Sequence, residues 1–325
     1  MVHSYRVAVL SDVHYASAAE QARGGDYESR DLKNHFTRLL IAGYRRYIWL
    51  RHPLGQNQRL DEFIAHAGSP DWVIANGDYC ADTNFVGISD DASLQSAREC
   101  LEKLRQKFAP NFRANLGDHE LGKMSLLGRR GGMRLASWRR ARNELGLEPF
   151  WRLELGNYVL LGVTSSLVAL SIFEPDVLTE EREEWHRLAA EHMAEVRAAF
   201  ATLKLRQRVL LFCHDPSALP FLWRDEIIRA KLPQIEQTII GHLHSNLVLW
   251  QGRLMAGMPP IRFLGHSVER MSTALSQGRH WRPFHVKLCP SLAGIELLKD
   301  GGFYMVQLDE DAKRPARFEF HPLKR

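Results

Sequence analysis

The stretch Ala114-Asn115-Leu116-Gly117-Asp118-His119-Glu120-Leu121-Gly122-Lys123 decides the fold, because its apolar entry runs through a glycine into three ionisable residues. A switch of this kind marks the carboxyl end of a buried strand, where layered α/β proteins assemble their sites. Four more segments repeat it. Ser11-Asp12-Val13-His14 follows an apolar run at 5–10, and Asn76-Gly77-Asp78 follows one at 71–75. His214-Asp215-Pro216 follows the run at 208–213, and Gly241-His242-Leu243-His244 follows the run at 237–240. Singly, Asp12 and Asp78 suit turns or helix caps, His214 suits a hydrogen-bonded core position, and His242 and His244 suit the surface. Five such loops in order, each with a hard oxygen or an imidazole at a strand end, point instead to a shared metal centre. Carboxylates and imidazoles suit Mn, Fe, Zn or Ni, and the lack of cysteine in these loops argues against a structural zinc site. Asp-x-His and His-x-His crowd a single ion but serve two ions about 3.5–4 Å apart.

Working outward, strands are expected at 5–10, 71–75, 111–115, 208–213, 237–240, 246–251, 261–264, 303–308 and 317–320, with a hairpin at 151–155 and 158–163 around Gly156-Asn157. Period-3.6 apolar spacing predicts helices at 36–48, 93–108 and 179–203, the last with Thr179 as its cap and glutamates in its first turns. The stretch 290–302 reads as a helix ended by glycines. The mixture implies a layered α/β or α+β sandwich, with two mixed sheets flanked by helices and the metal site at the strands' C-terminal ends.

The chain has 325 residues, 45% hydrophobic and 25% charged, which is globular rather than disordered. A net charge of +5 favours anionic partners: nucleic acid, a phosphorylated small molecule or an acidic membrane surface. Cys80, Cys100, Cys213 and Cys289 are widely spaced, as expected of reduced thiols in a cytosolic protein. The N-terminus reads as a strand rather than a signal peptide. The longest apolar run, 158–173, is interrupted by Gly162, Thr164, Ser165 and Ser166 and is too short to span a bilayer.

The ordered set Asp12-x-His14, Gly77-Asp78, Gly117-Asp118-His119-Glu120, His214 and Gly241-His242-x-His244 resembles the calcineurin-like metallophosphoesterase family. The resemblance implies a four-layer sandwich and a dinuclear hydrolase of phosphoester or pyrophosphate bonds. It implies one ion on Asp12, His14, Asp78 and His244, and another on Asp78, Asp118, His214 and His242, with Asp78 bridging. A metal-bridging hydroxide would be the nucleophile. His119 would act at the phosphate and leaving oxygen, and Glu120 would orient His119. The cofactors implied are two divalent ions, Mn²⁺ first, with Fe, Zn or Ni as alternatives.

The family usually has Asn where this chain has Asp118. With two divalent ions, a hydroxide and the carboxylates of Asp12 and Asp78, the site carries formally one positive charge. An ionised Asp118 cancels it. Three expectations follow: a tolerated exchange of one oxygen ligand for another, a trivalent ion such as Fe³⁺ in one position, or a site that has lost activity.

The substrate is written less plainly. Residues 33–59 interleave aromatic and aliphatic positions with Arg38, Arg45, Arg46, Arg51 and His52. This is either a core helix with a solvated basic face or an apolar cap with a basic rim, suited to an anionic membrane surface or an acyl chain. Arg129, Arg130 and Arg134, followed by Arg139, Arg140 and Arg142, form either a solvent-facing cluster or a substrate-phosphate site. Arg270, Arg279 and Arg282 add charge to a segment expected at the site rim. The family's bacterial UDP-2,3-diacylglucosamine pyrophosphohydrolases, which act in lipid A synthesis, combine the same core with basic and apolar insertions, and this chain looks similar in that respect. The alternatives are a nucleic-acid or cyclic-nucleotide phosphodiesterase and a non-catalytic metal-binding scaffold. No specific nucleic-acid partner is expected. The organisation expected is one domain over 1–325, with a helical basic/apolar insertion at about 27–68 and a C-terminal extension at about 262–325. The expected location is cytoplasmic, peripheral at the inner membrane face.

Overall fold

The computed structural model describes residues 3–30, 32, 34–125, 130–261 and 266–323. Their strands are β1 (Ser4–Leu10), β2 (Trp72–Ala75), β3 (Phe112–Ala114), β4 (Phe150–Leu155), β5 (Tyr158–Val163), β6 (Arg208–Cys213), β7 (Ile235–Ile240), β8 (Val286–Leu288), β9 (Gly302–Asp309) and β10 (Arg317–Pro322). They form two five-stranded sheets, ordered β10-β9-β1-β2-β3 and β4-β5-β6-β7-β8. In the first sheet β1, β2 and β3 are parallel, and β9 returns antiparallel beside β1. In the second, β4 and β5 make the expected hairpin, and β5 through β8 are parallel.

Side-chain alternation along the strands sorts the core into layers. Val7, Val9 and Ile74 from one sheet meet Tyr158, Leu160, Leu210 and Phe212 from the other. The intervening residues Ala8, Leu10, Val159, Leu161 and Leu211 turn outward to a second apolar layer shared with the helices. There the helix Asp91–Phe108 packs beside β3, burying Leu94, Leu101 and Leu104, and the helix Arg182–Ala201 packs beside β4, burying Trp185, Val196 and Phe200. The result is the expected four-layer sandwich. Truncating a side chain such as Phe212 in its middle costs about 3–5 kcal/mol.

A polar latch holds the two sheets in register where the site forms. The Asn115 amide donates to Asn76 Oδ1 at 2.8 Å and to the Phe212 carbonyl at 3.1 Å. Asn76 Nδ2 donates to the Ile239 carbonyl at 3.4 Å. The C-terminal ends of β2, β3, β6 and β7 are thereby tied together, which brings their loops to one place.

Some local expectations are corrected. Residues 246–251 are not a strand: Asn246–Leu254 is a helix, because the Ser245 hydroxyl caps the Leu247 amide at 3.2 Å. Residues 290–302 are not a helix but turns closed back on themselves, since Gly294 takes a left-handed φ of 63° and a Cβ there would lie 2.2 Å from Gly301 N. Thr179 does not cap the long helix. It lies in a short 3-10 turn, Thr179–Glu181, that leads into Arg182–Ala201. The strand expected at 261–264 falls largely on 262–264, outside the described residues. The three-residue β8 was not anticipated.

Candidate metal centre

Strand ends alone do not aim side chains inward; sharply turned backbone does. Asp12, His14, Asp78, His242 and His244 have φ of 50°, 48°, 60°, 59° and 59°. Left-handed backbone costs an L-residue about 1–2 kcal/mol, so five such residues in one cluster are strain gathered at a site. The loops also pass within backbone contact of one another. A Cβ on Gly117 would lie 2.1 Å from Asp78 Oδ1, and one on Gly241 would lie 2.1 Å from Ser11 Oγ. Glycine is required at both positions.

The eight side chains anticipated from the loops meet. Asp78, Asp118, His214 and His242 offer ligand atoms within 4.8 Å of one another, as do Asp12, His14 and His244, and as do His14, Asp78 and His119. His214 Nε2 lies 3.2 Å from Asp78 Oδ2 and 3.3 Å from Asp118 Oδ1, while His242 Nδ1 lies 3.2 Å from Asp118 Oδ1. On the other side His244 Nε2 is 3.4 Å from Asp12 Oδ1 and 3.1 Å from His14 Nε2. Asp78 belongs to both halves. Its Oδ1 accepts from the His119 amide at 3.0 Å, and its Oδ2 faces His214 on one side and His14 Nε2, at 3.9 Å, on the other.

The donor set fits cations. Asp78 Oδ2 and His214 Nε2 are fully buried without a hydrogen-bond partner, which is costly unless something charged sits between such atoms. The histidines are turned to present lone pairs. His14 Nδ1 is 3.3 Å from the Cys80 carbonyl, His214 Nδ1 is 2.6 Å from the Asn76 carbonyl and His119 Nδ1 is 3.0 Å from the Ala81 carbonyl. Each contact places the proton on Nδ1 and leaves Nε2 facing the cluster.

Electrostatics separate the groups. Burial disfavours charge on His214, yet Asp78 and Asp12 raise it well above the ordinary histidine value. Burial and the nearby Lys123 lower His119 to about 3, so its imidazole is neutral. Burial would push Asp118 up, but Lys123 and His242 hold its carboxyl well below the usual range. The Lys123 ammonium stands 2.9 Å from Asp118 Oδ2. The carboxylate that departs from the family's Asn therefore arrives with a counter-charge five residues downstream.

Glu120 does not orient the His119 ring. Its carboxylate accepts from the amides of Asp78 at 3.0 Å, Tyr79 at 2.7 Å and Gly117 at 2.9 Å, clamping two site loops together. Burial, followed by Asp78, raises it to about 7. Arg130 donates to the Tyr27 carbonyl, and Arg134 donates to the carbonyls of Gly131 and Met133, so both brace backbone. Arg129 lies outside the described residues. Two participants escaped the sequence reading. Lys123 was in the opening stretch but had no assigned role; its signal was the uncompensated charge on Asp118. Trp49, whose ring lies 4.8 Å from that of His244, gave no signal.

The family model for calcineurin-like phosphoesterases matches residues 5–246. The chain belongs to that family. It is a metal-dependent phosphoesterase with a dinuclear site of His and Asp residues. No curated protein matches it. Among solved structures, it is similar to phosphopantetheinyl hydrolase (PptH) from Mycobacterium tuberculosis at 17% identity, covering 73% of this chain and 82% of that one, TM-score 0.35. It is also similar to purple acid phosphatase PPD1 from yellow lupin (Lupinus luteus) seeds at 12% identity, covering 75% and 38%, TM-score 0.35. A metallophosphoesterase from Sphaerobacter thermophilus aligns at 14% identity over 98% of this chain and 90% of that one, TM-score 0.30.

Proposed function

We propose that this phosphoesterase, read as a single domain, hydrolyses a lipid-linked phosphoester or pyrophosphate, with UDP-2,3-diacylglucosamine the first compound to test. The observation that carries this reading is the path from apolar surface to metal cluster. Trp49 stacks on Tyr44, with ring centroids 6.2 Å apart, and packs on His244. An amphiphile's apolar part would thus meet Phe36, Leu39, Leu40 and Tyr44 while its phosphate reaches the cluster. The interleaving of exposed apolar side chains with the arginines favours such a substrate over a nucleic acid, whose backbone calls for a polar groove. Four free, buried cysteines support a reducing compartment such as the cytoplasm.

In this reading Asp12, His14, Asp78 and His244 would hold one ion, and Asp78, Asp118, His214 and His242 would hold the other. Two divalent ions, Mn²⁺ being the first to try, would supply Lewis acidity and an activated water at neutral pH. His119 presents Nε2 to the phosphoryl group, held by the Ala81 carbonyl behind it. With Nδ1 held by that carbonyl, Nε2 is the atom that would face the phosphate, and in this reading it stabilises or protonates the leaving oxygen. Glu120 fixes the two loops that carry Asp78 and Asp118.

The test is mass-spectrometric detection of UMP from UDP-2,3-diacylglucosamine with Mn²⁺, wild type beside His119→Ala. UMP from wild type alone upholds the reading. No UMP from a sample shown to hold metal overturns the lipid pyrophosphate assignment and turns the search to phosphodiesters.

A further inference from the structure

The helix His35–Tyr47 has no fully buried residue. Its apolar side chains nonetheless fall at i, i+3, i+4, i+8 and i+11, the spacing of one face. That face lies open: Phe36 is 68% exposed, Leu39 71%, Leu40 58% and Tyr47 65%. Apolar side chains scattered singly on a surface need no explanation, but a contiguous stripe of aromatic and aliphatic ones does. The stripe continues beyond the helix. The Leu297 amide donates to the Ile48 carbonyl at 3.2 Å, and Leu297 and Leu298 are 54% and 48% exposed.

The charge around the stripe is one-sided. From Leu32 to Gln58 the sequence holds Lys33, Arg38, Arg45, Arg46 and Arg51 and no acidic residue. Arg45 is used inward: it pairs with Glu28 and lies over the Tyr27 ring, fastening the helix to the body. Arg46 and Arg51 are exposed and have no acidic partner among the described residues. Arg51 also lines a cleft of about 580 Å³ with His52, Gln56, Arg59 and Glu296, adjoining the stripe. An open apolar stripe with a cationic border matches an anionic bilayer, whose acyl boundary takes the stripe and whose headgroups take the arginines. A second copy of this chain would bring like charges face to face. No helix among the described residues is long and apolar enough to cross a membrane, so the contact is with one surface only.

We infer that the 35–48 face docks the protein on an anionic lipid surface, with the metal cluster held at the interface through the Trp49–His244 contact. This deepens the lipid-linked reading above and rests on it for its purpose, while the docking itself is measured without turnover.

The experiment is flotation of the full chain, as His119→Ala, with vesicles of phosphatidylcholine alone or of equal parts phosphatidylcholine and phosphatidylglycerol. Each arginine brought to an anionic surface contributes about fivefold in partitioning, so at least tenfold enrichment on the anionic vesicles is expected. That enrichment collapses in about 1 M salt, where the Debye length is about 3 Å. Two exposed-site variants are compared, Leu39→Asp/Leu40→Asp and Arg46→Gln/Arg51→Gln, with circular dichroism melts showing that each is folded. Loss of flotation in both upholds the inference. Equal binding to neutral and anionic vesicles, unchanged binding of the variants, or a dimer in sedimentation that the Leu variant abolishes overturns it. Failure here separates from failure of the substrate reading. Hydrolysis of a detergent-dispersed lipid pyrophosphate without flotation overturns the docking alone, and flotation without hydrolysis of any lipid phosphoester overturns the substrate alone.

Discussion

Replacing Lys123 with Met removes the ammonium 2.9 Å from Asp118 Oδ2 while keeping the apolar stem. At that separation and an effective dielectric of about 20, the gross attraction is about 6 kcal/mol. Desolvation takes back much of it. Breaking a well-buried pair costs about 3–5 kcal/mol, and because Lys123 keeps some contact with solvent, about 2 kcal/mol is expected for the metal-stripped protein. The signs for the metal-loaded protein are opposite for its two ligands. Lys123→Met leaves the site more negative, so cations are held more tightly and an anionic substrate binds more weakly, with KM raised about tenfold for about 1.4 kcal/mol. Asp118→Asn alone leaves an uncompensated cation beside the ions and loosens them. The double variant Asp118→Asn/Lys123→Met restores the formal charge and should return metal retention, KM and stability close to wild type. The assays are thermal melts after chelation, metal stoichiometry by mass spectrometry, and steady-state hydrolysis of bis(p-nitrophenyl) phosphate. Strictly additive effects in the double variant would falsify the compensated-pair argument.

Gly117→Ala places a methyl 2.1 Å from Asp78 Oδ1, so metal stoichiometry should fall below two per chain while the far-ultraviolet circular dichroism keeps its shape; full occupancy would refute the close-approach argument. Chelation should lower the melting temperature, because removing ligands held a thousandfold above Kd costs about 4 kcal/mol. An unchanged melt would mean that the buried Asp and His groups are not holding ions. His192 belongs to none of the ligand groups; its Nε2 accepts from the Thr164 amide at 3.1 Å, and burial lowers it from 6.5 to about 4. The unfolded chain therefore binds the proton first. His192 stabilisation is complete above about pH 6.5 and is lost as pH falls towards 4, by about 3 kcal/mol in all. His192→Gln keeps the acceptor, and its stability relative to wild type should rise across that window; parallel curves would count against the assignment.

The strand-end loops were legible because alternation and glycine placement are local properties, and β1, β2, β3, β6 and β7 are each followed within three residues by Asp, Gly or His. The helix Asn246–Leu254 was not, since Asn-Leu-Val-Leu-Trp fits either period and the deciding contact is one hydroxyl cap. Lys123 was visible but mute. Its reach back to Asp118 depends on Gly122, which turns the chain with a φ of 92° and has no room for a Cβ, 2.5 Å from the Gly132 carbonyl. Trp49 illustrates a different limit: its partner His244 lies in a distant loop, and no pattern around either residue announces the other. The exposed helix 35–47 showed its amphipathic spacing in sequence, but only the structure distinguishes a face turned to the core from one turned outward.

The left-handed backbone at Asp12, His14, Asp78, His242 and His244 carries a lesson for anyone engineering this fold. Each is a position where glycine relieves strain, so a screen that rewards melting temperature in the absence of metal would drift towards removing the very side chains that gather the ions. A laboratory lineage selected only for heat tolerance should therefore lose its chemistry before its shape. Selection with metal present and hydrolysis scored would hold those five positions fixed, and useful stabilisation would come from the helices and outer layers instead.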